Sequence, residues 1–331
     1  MKNKVLLIGT GSIARRHLKN ILKIDKTSKI SVYSKDEMRA RKFVKEFKYK
    51  INVIKNLFKK NNFSHIVIAS STNTHNKYLK LFADKSKNIY CEKPIPYDKD
   101  FNFINTKKFL KSYNSQIKIG YQLRHNPAIK FIKKELKKRV NKKLFLIKLF
   151  CGQNLKDWRK NSNYKKLFSA GNKNYGSVYW ELSHEIDLVN YIIGRPNLVY
   201  SNHKNTNNLK IEVNDLSNTI LNFKNKSISC SISLEMISPI LYRKLIIVTL
   251  SNYYELDLVK NIVIKKNKKK TQSFKFKSDR NKMFEDYMSN FLSNKKYSAS
   301  FPFSNLQDGI NTTKIIKAME SSNKFGQIIK I

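Results

Sequence analysis

Short apolar runs alternate with helical segments along the first third of the chain. After the first run, Ile13, Ala14, His17, Leu18 and Ile21 recur at the spacing of one helical face, which predicts a helix before the second run. Strands joined by crossover helices are typical of a parallel sheet. The predicted strands are residues 5–8, 30–33, 66–69, 89–91 and 117–121.

The pattern changes at about residue 144, where longer apolar runs follow one another at hairpin spacing. Adjacent runs of this kind predict an antiparallel sheet. They lie at residues 144–150, 216–223, 227–234, 245–250 and 253–259, and an amphipathic segment at 308–319 predicts a terminal helix. We therefore expect an α/β protein with a doubly wound parallel sheet in residues 1–122. We expect residues 123–331 to form an α/β domain on an open, mostly antiparallel sheet, whose last helix either stays in that domain or packs back on the first.

The composition is that of a core-forming protein. The chain has 331 residues, of which 40% are hydrophobic and 12% aromatic, and these values exclude fibrous and broadly disordered classes. The apolar runs are too short for a membrane span or a signal peptide, so a cytoplasmic location is expected and no membrane partner. Three separated cysteines without CxxC spacing predict neither a disulfide framework nor a metal site.

The formal net charge of +44 favours anionic ligands, and by itself it would suggest nucleic acid. The chain, however, contains only ten Arg among its 67 basic residues, together with many Asn, Ile, Phe and Tyr. AT-rich codons explain this pattern more simply, and Arg is the residue that best recognises phosphate and guanine. No specific nucleic-acid partner is predicted. The charge should still steer an anionic substrate toward the protein.

A glycine-rich turn follows the first predicted strand. Gly9 and Gly11 stand in the string Gly-Thr-Gly-Ser-Ile-Ala, which opens the predicted helix. The first glycine permits a tight turn, the second allows a pyrophosphate to approach the backbone, and the small sixth residue packs closely against the sheet. Free N–H groups of the helix then face the diphosphate. We therefore predict a Rossmann dinucleotide site in which Gly9, Gly11, Ser12 and Ile13 hold the pyrophosphate.

The end of the second strand bears on the choice between NAD and NADP. An acidic residue there would bind the ribose 2′-hydroxyl of NAD. Instead Ser34 and Lys35 follow the strand, and the carboxylate of Asp36 comes late. A hydroxyl and a cation suit a 2′-phosphate, so NADP is slightly favoured over NAD. The alternative is that Lys35 is one more lysine in a lysine-rich chain.

Three further motifs occur in a fixed order along the chain. Ala-Ser-Ser-Thr-Asn-Thr-His ends at His75, Tyr-Cys-Glu-Lys-Pro ends at Pro94, and Gly-Tyr-Gln-Leu-Arg ends at Arg124. In order and spacing they resemble the glucose-fructose oxidoreductase, inositol dehydrogenase and rhizopine-catabolism (Gfo/Idh/MocA) family. The resemblance implies a sugar-like substrate held between a Rossmann domain and a second domain that binds substrate and mediates oligomerisation.

The resemblance also implies roles for single residues. The family's catalytic lysine corresponds to Lys93, where an ammonium would stabilise the alkoxide that develops during hydride transfer. The alternative is a lysine that caps a strand end. Arg124 is a substrate-contact candidate. The positions expected on the nicotinamide side are Ser70, Asn73, His75, Glu92 and Lys93.

A second cluster carries the predicted proton-transfer residue. His184 and Asp187 match the His-x-x-Asp of the family, and at i and i+3 they share one helical face. A histidine can take the hydroxyl proton or return it, and Asp187 is expected to contact substrate. Where the family often has Asp four residues before this histidine, the chain has Trp180, and Glu181 follows it. The acidic partner is therefore open, and a packed structural histidine is the alternative.

Between the two clusters lies Gln-Asn-Leu-Lys-Asp-Trp-Arg, which includes Trp158 and Arg159, and Tyr164 follows. This segment resembles one found in family members from gene clusters for the biosynthesis of sialic-acid-like or other surface sugars. An aromatic face beside a guanidinium suits a sugar with a carboxylate or phosphate. A packing anchor is the alternative.

Together these features predict an NAD(P)-dependent sugar dehydrogenase or reductase acting on a CH–OH group. The substrate would be a sugar or nucleotide-linked sugar, possibly anionic in character, and the protein a homodimer or homotetramer. Two alternatives stay open: a cofactor-binding sensor or partner-binding protein that has lost the reaction, motivated by Trp180 and Glu181, and a basic nucleic-acid-binding protein.

Overall fold

Strands and helices alternate from residue 4 to residue 119, as the apolar pattern predicts. The structure, a computed structural model, describes residues 2–57, 62–141, 143–158, 163–224, 227–293 and 302–331. The first elements are β1 (Lys4–Ile8), α1 (Ser12–Ile24), β2 (Lys29–Tyr33), α2 (Glu37–Lys45), β3 (Ile51–Val53), β4 (His65–Ile68), α3 (His75–Phe82), β5 (Ile89–Cys91), α4 (Phe101–Ile104), α5 (Lys107–Tyr113) and β6 (Ile117–Ile119).

The next stretch is dominated by long strands. Its elements are α6 (Pro127–Leu136), β7 (Leu144–Gly152), α7 (Phe168–Gly171), α8 (Val178–Glu181), α9 (Ser183–Ile192), β8 (Leu198–Lys204), β9 (Leu216–Asn222), β10 (Ser229–Glu235), β11 (Tyr242–Thr249), β12 (Tyr253–Asp257), β13 (Ile262–Lys266) and β14 (Thr271–Lys275). The chain ends with α10 (Arg280–Leu292), β15 (Ser304–Asn305), α11 (Leu306–Phe325) and β16 (Ile329–Lys330). The helix predicted at 308–319 is thus part of α11.

The chain divides into two units. The first contains Met1–His125 and Asp279–Ile310, and the second contains Asn126–Ser278 and Asn311–Ile331. Residues 279–310, which the apolar pattern assigned to the second domain, therefore belong to the first unit. The reason is packing: Tyr287, Met288 and Phe291 of α10 are buried in one core with residues of α1. A local pattern shows that α10 has an apolar face but not which sheet that face covers.

The first unit is built on a sheet in the order β15-β6-β5-β4-β1-β2-β3, with β1 to β6 parallel and β15 an antiparallel edge. Both faces are covered. Val5 and Leu7 of β1 face the core that includes α1 and α10, whereas Leu6 and Ile8 face the core that includes α3. This alternation is the period of a strand whose two faces are both buried. The doubly wound parallel sheet is confirmed.

The second unit has a sheet in the order β14-β13-β12-β11-β7-β10-β9-β8-β16. Every neighbouring pair is antiparallel except β7 with β10, which are parallel. On β9, Ser217, Thr219 and Leu221 are buried while Asn218 and Ile220 are exposed, so one face packs and the other stays open. The predicted open, mostly antiparallel sheet is confirmed.

Candidate active site

The glycine turn after β1 has the backbone that the sequence predicts. Gly9 has φ +117°, a conformation that favours glycine, and a Cβ there would lie 2.4 Å from the carbonyl oxygen of Ala69. Gly11 is the N-cap of α1, and a Cβ built on it has no neighbour within 4 Å among the described residues. The backbone at Gly11 is therefore open to a ligand, while Gly9 fixes the turn.

The first turn of α1 suits an anion. No side chain caps this helix and no acidic residue lies in its first turn. Ser12 is exposed, Ile13 is half-buried, and Ala14 is fully buried against the sheet. The helix N-terminus concentrates partial positive charge and N–H donors. These features fit the pyrophosphate of a dinucleotide.

The end of β2 brings two of the predicted ribose contacts beside the turn. The amide of Gly9 donates to the carbonyl of Tyr33, the last residue of β2, at 2.9 Å. Ser34 is half-buried and Lys35 is exposed. The carboxylate of Asp36 is engaged as the N-cap of α2, where it accepts from the amide of Arg39 at 3.0 Å. Ser34 and Lys35 are thus available at this edge, while Asp36 is committed to its own helix.

The loop after β4 contains Ser70, Asn73 and His75. Ser70 Oγ lies 2.7 Å from Thr74 Oγ1, and Asn73 is exposed. His75 is buried, with Nδ1 3.0 Å from the carbonyl oxygen of Pro94 and Nε2 3.1 Å from that of Ser70. Burial lowers the pKa of His75, although the two carbonyls act in the opposite direction. His75 therefore ties this loop to the segment after β5.

The segment after β5 carries the predicted catalytic lysine. Lys93 is half-buried and precedes a cis peptide bond to Pro94. The neighbouring Glu92 is only 6% exposed, and its Oε1 lies 2.7 Å from Nε2 of His17 and accepts from Tyr90 Oη at 2.8 Å. Glu92 therefore turns its carboxylate into the protein, away from the exposed position of a simple cofactor contact.

These residues share one edge of the first sheet. The Gly9 turn, Ser34, Ser70 and Lys93 follow β1, β2, β4 and β5, which are neighbours in the order β5-β4-β1-β2. Dinucleotides bind outside the carboxyl ends of parallel strands in folds of this kind. The structure thus brings the predicted cofactor residues of the first unit to the edge where such a ligand binds.

Arg124, a predicted substrate contact, is engaged inside the first unit. Its side chain is 2% exposed, and Nη1 lies 2.9 Å from Asp308 Oδ2 and 3.3 Å from the carbonyl oxygen of Phe303. These contacts join the segment after β6 to the start of α11. A role in substrate binding stays a prediction for this residue.

In the second unit, His184 lies in the first turn of α9 and is half-buried. Asp187 is fully buried, and because both residues are in one helix at i and i+3 they share the predicted face. Trp180 is 1% exposed and donates from Nε1 to Glu320 at 2.8 Å. The residue at the family's acidic position is thus a core anchor, and Glu181 beside it is half-buried.

The segment after β7 contains the predicted aromatic contacts. Trp158 is half-buried, and its Nε1 has no acceptor among the described residues. Tyr164 Oη donates to the carbonyl oxygen of Leu209 at 3.0 Å. Arg159 lies outside the described residues. Trp158 thus retains a free donor, whereas the Tyr164 hydroxyl is engaged.

Two residues at the site were not predicted. His17 was recognised only as part of the helical face of α1, yet it contacts Glu92. Arg243 on β11 has Nε 2.6 Å from Oε1 of Glu185, a residue that is fully buried beside His184. For His17, the signal in the sequence was a histidine on an otherwise apolar helical face. For Arg243, it was the presence of an arginine in a chain that has only ten.

Within the ranges that the structure describes, no three His, Cys, Asp or Glu side chains come together in a group that could hold a metal ion. Among the described helices, none combines the length and apolarity needed to cross a membrane.

Comparison with known proteins gives matches at two levels. Residues 3–106 match the family model described as "Oxidoreductase family, NAD-binding Rossmann fold". The chain is also 26% identical over 129 residues to the uncharacterized oxidoreductase YrbE of Bacillus subtilis (strain 168). That alignment spans 38% of each protein, so the chain matches well under half of this relative's length.

Solved structures match over the whole chain. A levoglucosan dehydrogenase in complex with NADH and levoglucosan has a TM-score of 0.84 at 13% identity, with 100% of both chains covered. The myo-inositol 2-dehydrogenase from Lactobacillus plantarum has a TM-score of 0.78 at 18% identity, again with 100% of both chains covered. An oxidoreductase from Agrobacterium radiobacter in complex with NAD+, L-tartaric acid and magnesium has a TM-score of 0.80 at 15% identity, covering 100% of this chain and 98% of that one. At these identities the comparison shows a shared fold.

Proposed function

We propose, from the premise that the chain belongs through residues 3–106 to the Gfo/Idh/MocA oxidoreductase family, that it is a nicotinamide-dependent sugar dehydrogenase or reductase. The resemblance stated from the motifs is confirmed by that match. The observation that carries the proposal is the turn from Gly9 to Ser12, which leaves the backbone open at Gly11 and precedes an uncapped helix N-terminus. These are the features that a dinucleotide pyrophosphate requires.

Lys93 and His184 are the proposed reacting side chains. The bound nicotinamide supplies or accepts hydride at C4. The ammonium of Lys93 stabilises negative charge on the substrate oxygen as the carbinol is oxidised or the ketone reduced. The imidazole of His184 takes the hydroxyl proton in oxidation and returns it in reduction. The two residues belong to different units. Their joint action is therefore tested by the kinetics of variants at each position.

We propose that the cofactor site accepts NADP(H), with Ser34 and Lys35 as contacts of the 2′-phosphate. The support is that Ser34 and Lys35 directly follow β2, while Asp36 comes later and one of its carboxylate oxygens accepts from the amide of Arg39. Binding of NADH and NADPH, followed by their fluorescence, tests this. Lys35→Asp should weaken NADPH binding more than NADH binding, and an equal effect on both cofactors would contradict the assignment.

The proposed substrate is a sugar or nucleotide-linked sugar with an anionic group. The support is the +44 charge and the free indole donor of Trp158 in the second unit. Solved structures of the same fold include dehydrogenases with levoglucosan and with L-tartaric acid, one neutral and one anionic ligand. Assembly as a homodimer or homotetramer is part of the same proposal and is measured by light scattering.

A turnover assay tests the proposed activity. Purified protein is mixed with NADH or NADPH, or with the oxidised cofactors, and with neutral, carboxylated and nucleotide-linked sugars, while absorbance of the reduced nicotinamide is followed. Saturable turnover with one class supports an enzyme and removes the sensor alternative. Tight cofactor binding without turnover across the panel would favour the sensor, for which the replacement of the acidic position by Trp180 is the supporting observation.

A further inference from the structure

The carboxylate of Glu92 is the centre of a buried network in the first unit. Its Oε1 lies 2.7 Å from Nε2 of His17, 2.8 Å from the Tyr90 hydroxyl and 3.2 Å from Nε2 of Gln122. Its Oε2 accepts from the backbone amide of Lys93 at 3.3 Å. A buried carboxylate surrounded by donors is held in one orientation, because any rotation would leave a charge unpaired.

The network leaves no space for a side chain at Gly120, which follows β6. A Cβ on Gly120 would lie 2.6 Å from the Tyr90 hydroxyl and 3.0 Å from both Glu92 Oε2 and Gln122 Nε2. The segment after β6 therefore approaches Glu92 closely only because residue 120 is glycine. This close packing leaves the Glu92 carboxylate little freedom to move, so its hydrogen bonds fix the geometry of the network.

His17 connects this carboxylate to the cofactor turn. It is 1% exposed and lies in α1, the helix that begins at Ser12. Its Nδ1 has no partner among the described residues, whereas Nε2 lies at hydrogen-bond distance from Glu92, so we place a proton on Nε2 that is donated to the carboxylate. A single hydrogen bond thus joins the phosphate-binding helix to the residue that precedes Lys93 in the chain.

The surroundings of Glu92 also set the charge state of its carboxylate. Burial raises the pKa of Glu92. The hydrogen bond and charge of His17, the Tyr90 hydroxyl and the charge of Lys93 lower this pKa by a larger amount, so the net shift is downward. The group is therefore ionised at neutral pH. An ionised carboxylate makes stronger hydrogen bonds than a neutral one, so the network keeps its geometry at that pH.

We infer that His17 and Glu92 are positioning residues, which hold the segment of Lys93 in place and link it to the helix that binds the dinucleotide. The inference rests on the proposed function for its effect on turnover. It rests on the contacts alone for its effect on the reactivity of Lys93. The two can therefore be measured separately.

The reactivity of Lys93 is measured by brief acetylation across a pH series, with mass spectrometry of the peptide that contains it. The variants are His17→Leu, which removes the donor, His17→Gln, which places an N–H near the position of Nε2, and Glu92→Gln, which removes the charge. His65→Leu is the control, because His65 is equally buried in β4 and hydrogen-bonds Ser64 instead. Thermal unfolding and binding of reduced cofactor are measured for each protein.

We expect His17→Leu and Glu92→Gln to raise the acetylation rate of the half-buried Lys93 at each pH, because the segment that carries it loses a contact that holds it in place. His17→Gln should restore most of the wild-type profile. Measured with a substrate that the wild-type protein turns over, kcat of His17→Leu should fall by about 10- to 100-fold. This is the loss of rate that a small displacement of a reacting group causes. Binding of reduced cofactor should change little.

Unchanged acetylation of Lys93 in both His17→Leu and Glu92→Gln would overturn the inference. So would equal effects of His17→Leu and His65→Leu, since these would report only the loss of a buried histidine. A wild-type protein without turnover would count against the proposed function, and the acetylation profiles would still decide the role of His17. Glu92→Gln retains the size of the side chain, so it provides the answer if His17→Leu fails to fold.

Discussion

The candidate residues of the first unit and those of the second unit are organised by different physical means. In the first unit, residues follow the ends of parallel strands, and a carboxylate with several hydrogen-bond contacts supports Lys93. In the second unit, His184 lies in the first turn of α9, and the neighbouring Glu185 is fully buried and paired with Arg243. The first arrangement shares a charge among many donors, whereas the second depends on one ion pair. Changes near Lys93 should therefore act on chemistry, and changes near Glu185 should act first on stability.

Lys93→Met gives the largest expected effect. Loss of the ammonium that stabilises the substrate oxygen should lower kcat by about 10³-fold or more, while binding of reduced cofactor stays close to wild type. Steady-state kinetics and fluorescence titration measure the two quantities. Lys99→Met, an exposed lysine of the same unit, should behave as wild type. Turnover retained in Lys93→Met would remove the proposed chemistry.

His184→Asn should lower kcat by about 10²- to 10⁴-fold, the range for a general acid or base. The pH dependence of kcat should lose the limb that reports the imidazole, because asparagine does not titrate. His203→Asn removes another imidazole from the same unit and should leave kcat at neutral pH unchanged. Equal kinetics for the two variants would show that His184 is a packed structural histidine.

Arg243→Met tests the buried ion pair of the second unit. Burial lowers the pKa of Arg243, but the charge of Glu185 and the contacts with Cys151 together raise it by more, so the guanidinium stays charged. Removing the cation should cost about 3–5 kcal/mol of unfolding free energy, because Glu185 is left as a buried uncompensated charge. Both tryptophans, Trp158 and Trp180, lie in this unit, so their fluorescence in urea follows its unfolding.

The double variant Glu185→Leu with Arg243→Met should recover much of that loss, since a hydrophobic pair of similar volume avoids the cost of burying charge. Lys173→Met is the matched control for an exposed pair, because Lys173 and Glu212 lie 3.3 Å apart on the surface. Such a pair contributes about 0–1 kcal/mol. A loss in Arg243→Met no larger than in Lys173→Met would show that the pair is not a stabilising contact.

His203 gives a smaller effect that depends on pH. Burial holds its pKa at about 4, below the value of 6.5 expected for the unfolded chain. The stability from the neutral ring is fully present above pH 6.5 and is lost as the pH falls toward 4, to a total of about 3 kcal/mol. His203→Asn should therefore lose less stability than wild type between pH 7 and pH 4. Parallel losses in both proteins would contradict this.

The first unit was the more predictable of the two because its site is made by local geometry. A glycine required by φ +117° and by contact with Ala69, and motifs placed directly after strands, leave signatures in short stretches of sequence. The parallel sheet followed from the alternation of strands and helices, whereas the order of its strands did not. Packing between distant segments left no such signature. The placement of α10 in the first unit, the Arg124–Asp308 pair and the contact of His17 with Glu92 each join residues far apart in the chain.

In the second unit, the apolar runs predicted β7, β9, β10, β11 and β12 but not β8. The helix of His184 was implied by the resemblance, whereas the partners of that helix were not predictable. Trp180 showed that the family's acidic position had changed, and only the structure showed that its indole binds Glu320. Arg243 and Glu185 meet because β11 pairs with β7 in a register that sets Arg243 opposite Cys151. Register in a nine-stranded sheet depends on all its strands together, so a local pattern cannot supply it.

The account is tested most directly by transfer of deuterium from cofactor to sugar. The protein is incubated with reduced nicotinamide cofactor deuterated at C4 and with keto forms of neutral, carboxylated and nucleotide-linked sugars, and the products are analysed by mass spectrometry. The account predicts one deuterium on the reduced carbon of a sugar, with the transfer lost in Lys93→Met. Tight binding of the cofactor with no deuterium in any sugar would contradict it.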